Sequence, residues 1–328
     1  MVFATGNLLC DIPLFVLGLC FLVKGSDWFV DSASFIAKRF DVSEMVIGLT
    51  LVSIGTSLPE LATNIYASFT KEGGVALGNA VGSNITNITL VLGLGGLLYG
   101  EMPLPKSILG RDLGVLLFVY ALFGFICMTG TGSGGHELSH WEGWLLLAVF
   151  AGYSGWLFKK GGVPSDAGEE HSHCVVRTMG GAALFFALGL VMITCGAKMG
   201  VDTVVAAAES MHVPKEIISA TVIAFGTSVP ELAVTVAGLK KDKNDMALGN
   251  IVGSCVFNLV LVMGVAVAIT PIQVSKDMLR SSMPLMLVSG VLLFVFAKNK
   301  KRLFRVESAA LLAVYLGFIG YNVWRVLG

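Results

Sequence analysis

An all-α polytopic membrane protein, with ten transmembrane helices in two inverted five-helix repeats and broken helices at a central site, is the fold class the sequence predicts. Three observations predict it. The 328 residues are 55% hydrophobic and only 13% charged, with a mean hydropathy of +0.81, whereas soluble chains carry about 25% charged residues. That balance excludes an ordinary water-soluble enzyme. Cutting the chain at charge clusters and Gly/Pro punctuation leaves ten apolar segments, approximately 10–37, 43–69, 74–99, 109–130, 142–159, 175–209, 214–239, 245–270, 279–297 and 307–326, lengths suited to a bilayer core that needs about 20 residues per helix. Finally, a shift of 171 residues superposes 55–93 on 226–264 without a gap, with 18 of 39 positions identical.

The first segment lacks the positive n-region of a signal peptide, so the N-terminus is expected to be mature. Lys24, Asp27 and Asp31 lie within it, three or four residues apart, as do Lys198 and Asp202 in the sixth segment. Local ion pairs or snorkelling to the interface account for such spacing; a water-filled ion entrance at Asp31 and Asp202 is the alternative. The second segment contains GTSLPE (55–60). Pro59 cannot donate to the Gly55 carbonyl, so the helix should open there, and Glu60 follows at once. The third contains GNAVGSNITN (78–87), where Ser83 and Asn87 share a helix face and Gly78 and Gly82 permit close approach of a neighbour.

Between the fourth and fifth segments, His136, Glu137 and His140 match the HExxH pattern of zinc proteases. They follow a glycine-rich stretch and have no clear third ligand, so solvated residues at a helix start are the preferred reading. A membrane zinc metalloprotease is the remote alternative. The longest polar interruption, 159–173, has the Gly, Pro and acidic residues of a loop. It divides the chain into a first five-helix repeat (1–160), a central cytoplasmic loop (161–173) and a second repeat (174–328). Glu169, Glu170, His171 and His173 within it read as a polar loop rather than a regulatory metal site. The seventh segment repeats the break as GTSVPE (226–231), with Pro230 and Glu231, and the eighth repeats the polar face as GNIVGSCVFN (249–258), with Gly249, Gly253, Ser254 and Asn258. Five spans separate equivalent points. Five is odd, so the second copy enters the membrane upside down, the arrangement that builds a shared midplane site in transporters.

Assigning alternate loops to opposite sides places fifteen Lys and Arg residues on one face and five on the other. The richer face is cytoplasmic by the positive-inside rule, which predicts a multi-pass plasma-membrane protein with both termini external. Net charge is zero, leaving no electrostatic case for nucleic acid. The six cysteines are scattered and read as buried thiols without a structural disulfide. No phosphate-binding loop is legible, so no ATP or other cofactor is expected. A monomer is the expected working unit.

Each buried glutamate costs at least about 2.5–3.5 kcal/mol to place in a membrane when ionised, so something cationic must offset it. The doubled motif offers two carboxylates, two amide carbonyls, Ser and Thr hydroxyls and freed main-chain carbonyls, with no His or Cys. Such a hard-oxygen set suits calcium or sodium rather than zinc. The plain reading, packing kinks with glutamates paired to buried lysines, is disfavoured because only Lys24 and Lys198 lie within spans.

These paired motifs resemble the two alpha-repeats of the calcium/cation antiporter superfamily, particularly its prokaryotic sodium/calcium exchangers. The resemblance covers essentially the whole chain. It implies alternating access around one central site, with Glu60 and Glu231 as principal calcium and sodium ligands, the Thr56 and Thr227 carbonyls, and Ser57, Ser228, Ser83, Ser254, Asn87 and Asn258 around them. Some relatives have aspartate at the position of Asn87 or Asn258; here both are asparagine, giving a site of formal charge −2. The predicted function is therefore a sodium/calcium antiporter and not an enzyme. A calcium/proton antiporter using the same carboxylates is the alternative, and a calcium channel would share the oxygen site without coupling two gradients.

Overall fold

In the computed structural model the described residues are 4, 8–104, 111–130, 136–160, 178–211, 224–300 and 302–327. They form helices α1 (Leu8–Arg39), α2 (Glu44–Thr56), α3 (Leu58–Phe69), α4 (Gly73–Tyr99), α5 (Leu113–Thr129), α6 (His140–Lys160), α7 (Met179–Ser210), a short α8 (Ala224–Gly226), α9 (Val229–Lys240), α10 (Asn244–Ile269), α11 (Met278–Lys298) and α12 (Arg305–Leu327). The protein is helical and polytopic. Six of these helices are long and apolar enough to cross a membrane, or seven when the bent pair α2–α3 is counted as one span. The seventh predicted segment falls partly outside the described residues, and the central loop 161–173 with its Glu169–His173 cluster falls wholly outside them.

Four short strands join distant parts of the chain. β1 (Met102–Pro103) pairs antiparallel with β4 (Arg302–Leu303), and β2 (Glu137–Leu138) with β3 (Ile272–Gln273). Glu101 and Arg302 form an ion pair of 2.7 Å beside the first ribbon. The second ribbon speaks against the remote metalloprotease alternative, because residues 137–138 are extended and the two histidines do not share one helix face, while His140 begins α6 in keeping with the preferred reading of a helix start. His136 Nδ1 lies 2.8 Å from the Met128 carbonyl and His140 Nδ1 lies 3.0 Å from that of Ala268.

Burial sorts the helices by role. α4 and α10, which carry the GNxVGS motifs, have 72% and 83% of their apolar windows buried, against 22–28% for α1, α7, α11 and α12. The motif helices are thus the centre, and the long apolar helices present side chains outward, as a lipid-facing rim does. Leu77, Ile85, Ile88, Leu92, Ile251 and Leu259 of α4 and α10 lie in the larger core with Tyr120 and Phe123 of α5. A second core joins α1, α2, α7 and α9 through Phe29, Val30, Val52, Ile193 and Val234. Cys127 and Cys255 are buried, but Cys10 and Cys20 are exposed and Cys195 is intermediate, correcting the expectation of uniformly buried thiols; Cys10 and Cys20 sit on the outward side of α1.

α1 and α7 cross antiparallel through glycine. A Cβ built on Gly18 would stand 3.0 Å from the Gly196 carbonyl oxygen, and one on Gly25 would stand 2.9 Å from that of Gly189. The charged residues of these helices part ways. Lys198 pairs locally with Asp202 at 3.1 Å, as its spacing predicts. Asp27 and Asp31 instead meet Lys241, at 3.3 and 2.7 Å, and Lys24 sits 5.9 Å from the Trp28 ring.

Candidate ion site

Both breaks form at the predicted prolines, and both have the same backbone. Ser57 (φ −86°, ψ 7°) and Ser228 (φ −87°, ψ 2°) leave the helical path, and α3 and α9 restart with Pro59 and Pro230 in the first turn, where a missing N–H costs nothing. The axis bends by 46° between α2 and α3. Each restart places a glutamate in a first turn, Glu60 or Glu231. The positive end of the helix dipole favours a carboxylate there.

Both glutamates are wholly buried and interact electrostatically. Glu231 Oε1 accepts a hydrogen bond from Ser57 Oγ at 3.1 Å. Among the described residues, Glu231 Oε2 and both Glu60 carboxylate oxygens have no hydrogen-bond partner. The mirror contact, from Ser228 to Glu60, is not made, and Ser228 Oγ is likewise without a partner among the described residues. Asn87 and Asn258 are fully buried, and neither amide atom of either finds a hydrogen bond among those residues. Each opens a π-helical turn, Asn87–Val91 and Asn258–Val262, a local widening common at functional sites. Buried polar atoms are satisfied as a rule, so these side chains, unsatisfied among the described residues, are the candidate positions for a bound ligand.

The remaining predicted residues are satisfied within the protein, and their partners lie in the other repeat. Thr56 Oγ1 donates to Asn250 Oδ1 at 3.0 Å and lies 3.4 Å from Ser254 Oγ. Thr227 Oγ1 donates to Asn79 Oδ1 at 3.2 Å and lies 3.3 Å from Ser83 Oγ. Behind them, Asn79 Nδ2 donates to Asn64 Oδ1 at 2.7 Å and Asn250 Nδ2 to Thr235 Oγ1 at 3.4 Å. Asn64, Asn79, Thr235 and Asn250 escaped the sequence reading. The doubled GN dipeptide at 78–79 and 249–250 was a signal for two of them.

Gly249 and Gly253 pack directly on α2, where added Cβ atoms would stand 2.7 Å from the Met45 carbonyl oxygen and 2.6 Å from Ser53 Oγ, as their spacing predicts. The segment that the 171-residue offset would bring against Gly78 and Gly82, 215–223, lies outside the described residues. Gly78 and Gly82 line a cavity of 460 Å³ with Thr63, Asn79, Thr227, Asp277 and Arg325. Among the described residues no three His, Cys, Asp or Glu side chains gather into a cluster; the donors at the site are carboxylate, amide and hydroxyl oxygens.

The family described as "Sodium/calcium exchanger protein" matches residues 11–159 and 181–324. The chain is 34% identical over 341 residues to "Sodium/calcium exchanger MaX1" of Methanosarcina acetivorans, covering 93% of this chain and 96% of that protein. It is also 34% identical over 276 residues to "Inner membrane protein YrbG" of Escherichia coli, covering 80% and 81%. Among solved structures it superposes on the sodium-calcium exchanger NCX_Mj, soaked with 10 mM Na+ and 10 mM Sr2+, with a TM-score of 0.81 and 32% identity, covering 96% of this chain and 99% of that one.

Proposed function

The chain belongs to the sodium/calcium exchanger family, and on that premise we propose that it is a sodium/calcium antiporter, moving calcium out of the cell in exchange for sodium by alternating access to one site. The observation that carries this reading is the pair of wholly buried carboxylates, three of whose oxygens are unsatisfied among the described residues. Two negative charges are neutralised by one calcium or by two sodium ions, so the two cargoes compete for one cage. A third sodium would leave the loaded site at +1 and make exchange voltage-sensitive. Glu60 and Glu231 are the principal ligands. Ser57, Ser228, Ser83, Ser254, Asn87, Asn258 and the carbonyls of Thr56 and Thr227 complete the set.

The membrane arrangement belongs to the same proposal: ten spans in two inverted halves, 1–160 and 174–328, joined by a cytoplasmic loop at 161–173, in the plasma membrane with both termini external. Among the described residues, the ion pairs and ribbons that link distant loops support this arrangement, since each joins segments that the charge asymmetry puts on one side. Glu101 with Arg302 and Glu44 with Lys243 (2.9 Å) fall inside; the β2–β3 ribbon and Asp277 with Arg325 fall outside. The cavity beside Thr227 shares its rim with Asp277 and Arg325, on the side proposed as external, and α2 packs on Gly249 and Gly253 nearer the side proposed as cytoplasmic.

Radioactive calcium uptake into proteoliposomes tests the function. A sodium gradient drives uptake, and replacing Glu60 or Glu231 with Gln abolishes it while the protein still folds. Uptake driven by a pH gradient and indifferent to sodium would establish the calcium/proton reading instead, and calcium leak without any counter-ion would establish a channel.

A further inference from the structure

The two hydrogen-bonded chains behind the site differ in one respect that the sequence repeat does not suggest, namely what terminates them. In the first, Asn64 Nδ2 donates to the Ala76 main-chain carbonyl at 3.0 Å. A carbonyl can only accept, so the Asn64 amide has one permitted orientation and its Oδ1 must receive. Asn79 Nδ2 therefore donates to it, at 2.7 Å. Asn79 Oδ1 is left to accept the Thr227 hydroxyl proton, at 3.2 Å. With its proton committed, Thr227 Oγ1 can only accept from Ser83 Oγ, at 3.3 Å. One carbonyl thus dictates the direction of every proton out to Ser83, whose oxygen lone pairs are free of any donor in the chain.

The second chain ends differently, on Thr235, the residue aligned with Asn64. Asn250 Nδ2 meets Thr235 Oγ1 at 3.4 Å, and a hydroxyl both donates and accepts, so nothing at that end forbids the reverse orientation of Asn250. Thr56 has a second outlet as well, the Ser53 carbonyl at 3.3 Å. Its proton is not committed. Asn64 and Thr235 are both fully buried, so water does not compensate for the difference.

We propose that Asn64 is a positioning residue for the ion site, acting through Asn79 to hold Thr227 and Ser83 with their protons turned away from the cargo, and that Thr235 exerts no such control over Thr56 and Ser254. A cation is repelled by a hydroxyl proton pointed at it and attracted by the lone pairs, so a fixed proton direction spares the site a reorientation on each binding event; this is preorganisation of the kind that lowers the ion concentration needed for occupancy. The inference rests on the antiporter reading only for the identity of the cargo. The Asn64 chain runs through α3 and α4 to Thr227 and the Thr235 chain through α9 and α10 to Thr56. Each ends on the opposite repeat, so the breaks are tied across the molecule rather than within their own half.

The test compares Asn64→Leu with Thr235→Val in the full-length protein. Sodium and calcium are titrated separately by thermal shift in detergent, and sodium-driven calcium flux is measured in proteoliposomes. Asn64→Leu is expected to raise the half-saturating sodium concentration about tenfold with the maximum rate within twofold of wild type, and Thr235→Val to raise it less than threefold. Equal shifts in the two variants, or a loss of maximum rate with unchanged half-saturation, would overturn the proposal. If Asn64→Leu does not yield folded protein, Asn64→Thr decides: it retains an acceptor for Asn79 but removes the fixed direction, so an unchanged sodium and calcium dependence in the thermal titration overturns it. A wild-type protein stabilised by both ions but inactive in flux would refute the antiporter reading while leaving these binding comparisons valid.

Discussion

Ser57 and Ser228 occupy equivalent places in the repeat and have the same backbone angles to within a few degrees, yet only Ser57 touches a glutamate. Their truncations should therefore differ. A side-chain hydrogen bond inside a membrane protein contributes on the order of 1 kcal/mol. Ser57→Ala should lower the ion-free melting temperature by about 1–2 °C, whereas Ser228→Ala should leave it unchanged and weaken only the stabilisation gained from calcium or sodium. Thermal unfolding of both variants with and without ions checks this; an equal ion-free loss in the two would contradict it. At this scale the sequence was informative where chemistry is expensive. A carboxylate after a proline in an apolar span needs a cation, and two such carboxylates at one offset need a shared one. It was silent about Asn64 and Thr235, because a buried amide in a helix is ordinary until its partner is known, and each chain reaches its threonine 148 or 194 residues away.

Among the elements, the GxxxG spacing of α10 serves to admit α2. A methyl added at Gly249 or Gly253 would stand 2.7 or 2.8 Å from the carbonyl oxygen of Met45 or Leu49, which forces a displacement that costs about 1–3 kcal/mol. Gly249→Ala and Gly253→Ala should therefore lower yield and thermal stability; melting temperatures equal to that of the wild type would contradict this packing. Spacing revealed the capacity for close approach but not the partner, since that is chosen by tertiary packing. The π-helical turns at Asn87 and Asn258 were likewise illegible, for no residue pattern in these apolar stretches distinguishes a widened turn from an ordinary one. The proline breaks were fully legible because proline removes a donor in any context. For Asp27 and Asp31, spacing offered Lys24 as a partner, and the fold supplied Lys241 instead. Helical spacing shows which groups can meet, and tertiary packing selects among them.

On the scale of the whole molecule, the proposed sidedness makes a direct prediction. His136 and Glu101 flank opposite ends of the bundle, each beside a two-stranded ribbon. His136→Cys should be labelled by an impermeant reagent added outside intact cells, and Glu101→Cys should be labelled only after permeabilisation; a Cys10→Ser, Cys20→Ser and Cys174→Ser background removes the two thiols exposed among the described residues and the one outside them. The opposite pattern would reverse the proposed direction of calcium movement. Trp141, Trp144, Tyr321 and Trp324 are exposed near the end assigned to the exterior, as an interfacial aromatic belt requires. The antiparallel crossing of α1 and α7 has a mechanical consequence of its own. Helices usually interlock because side-chain ridges of one sit in grooves of the other, and such a joint moves only in whole-notch steps. Where Gly18 meets Gly196 and Gly25 meets Gly189 backbone lies close against backbone, while farther along the same seam Trp28 meets the Phe185 ring and Phe29 stacks on Phe186, so the notch that sets the register of the pair sits at its aromatic end rather than at its glycines.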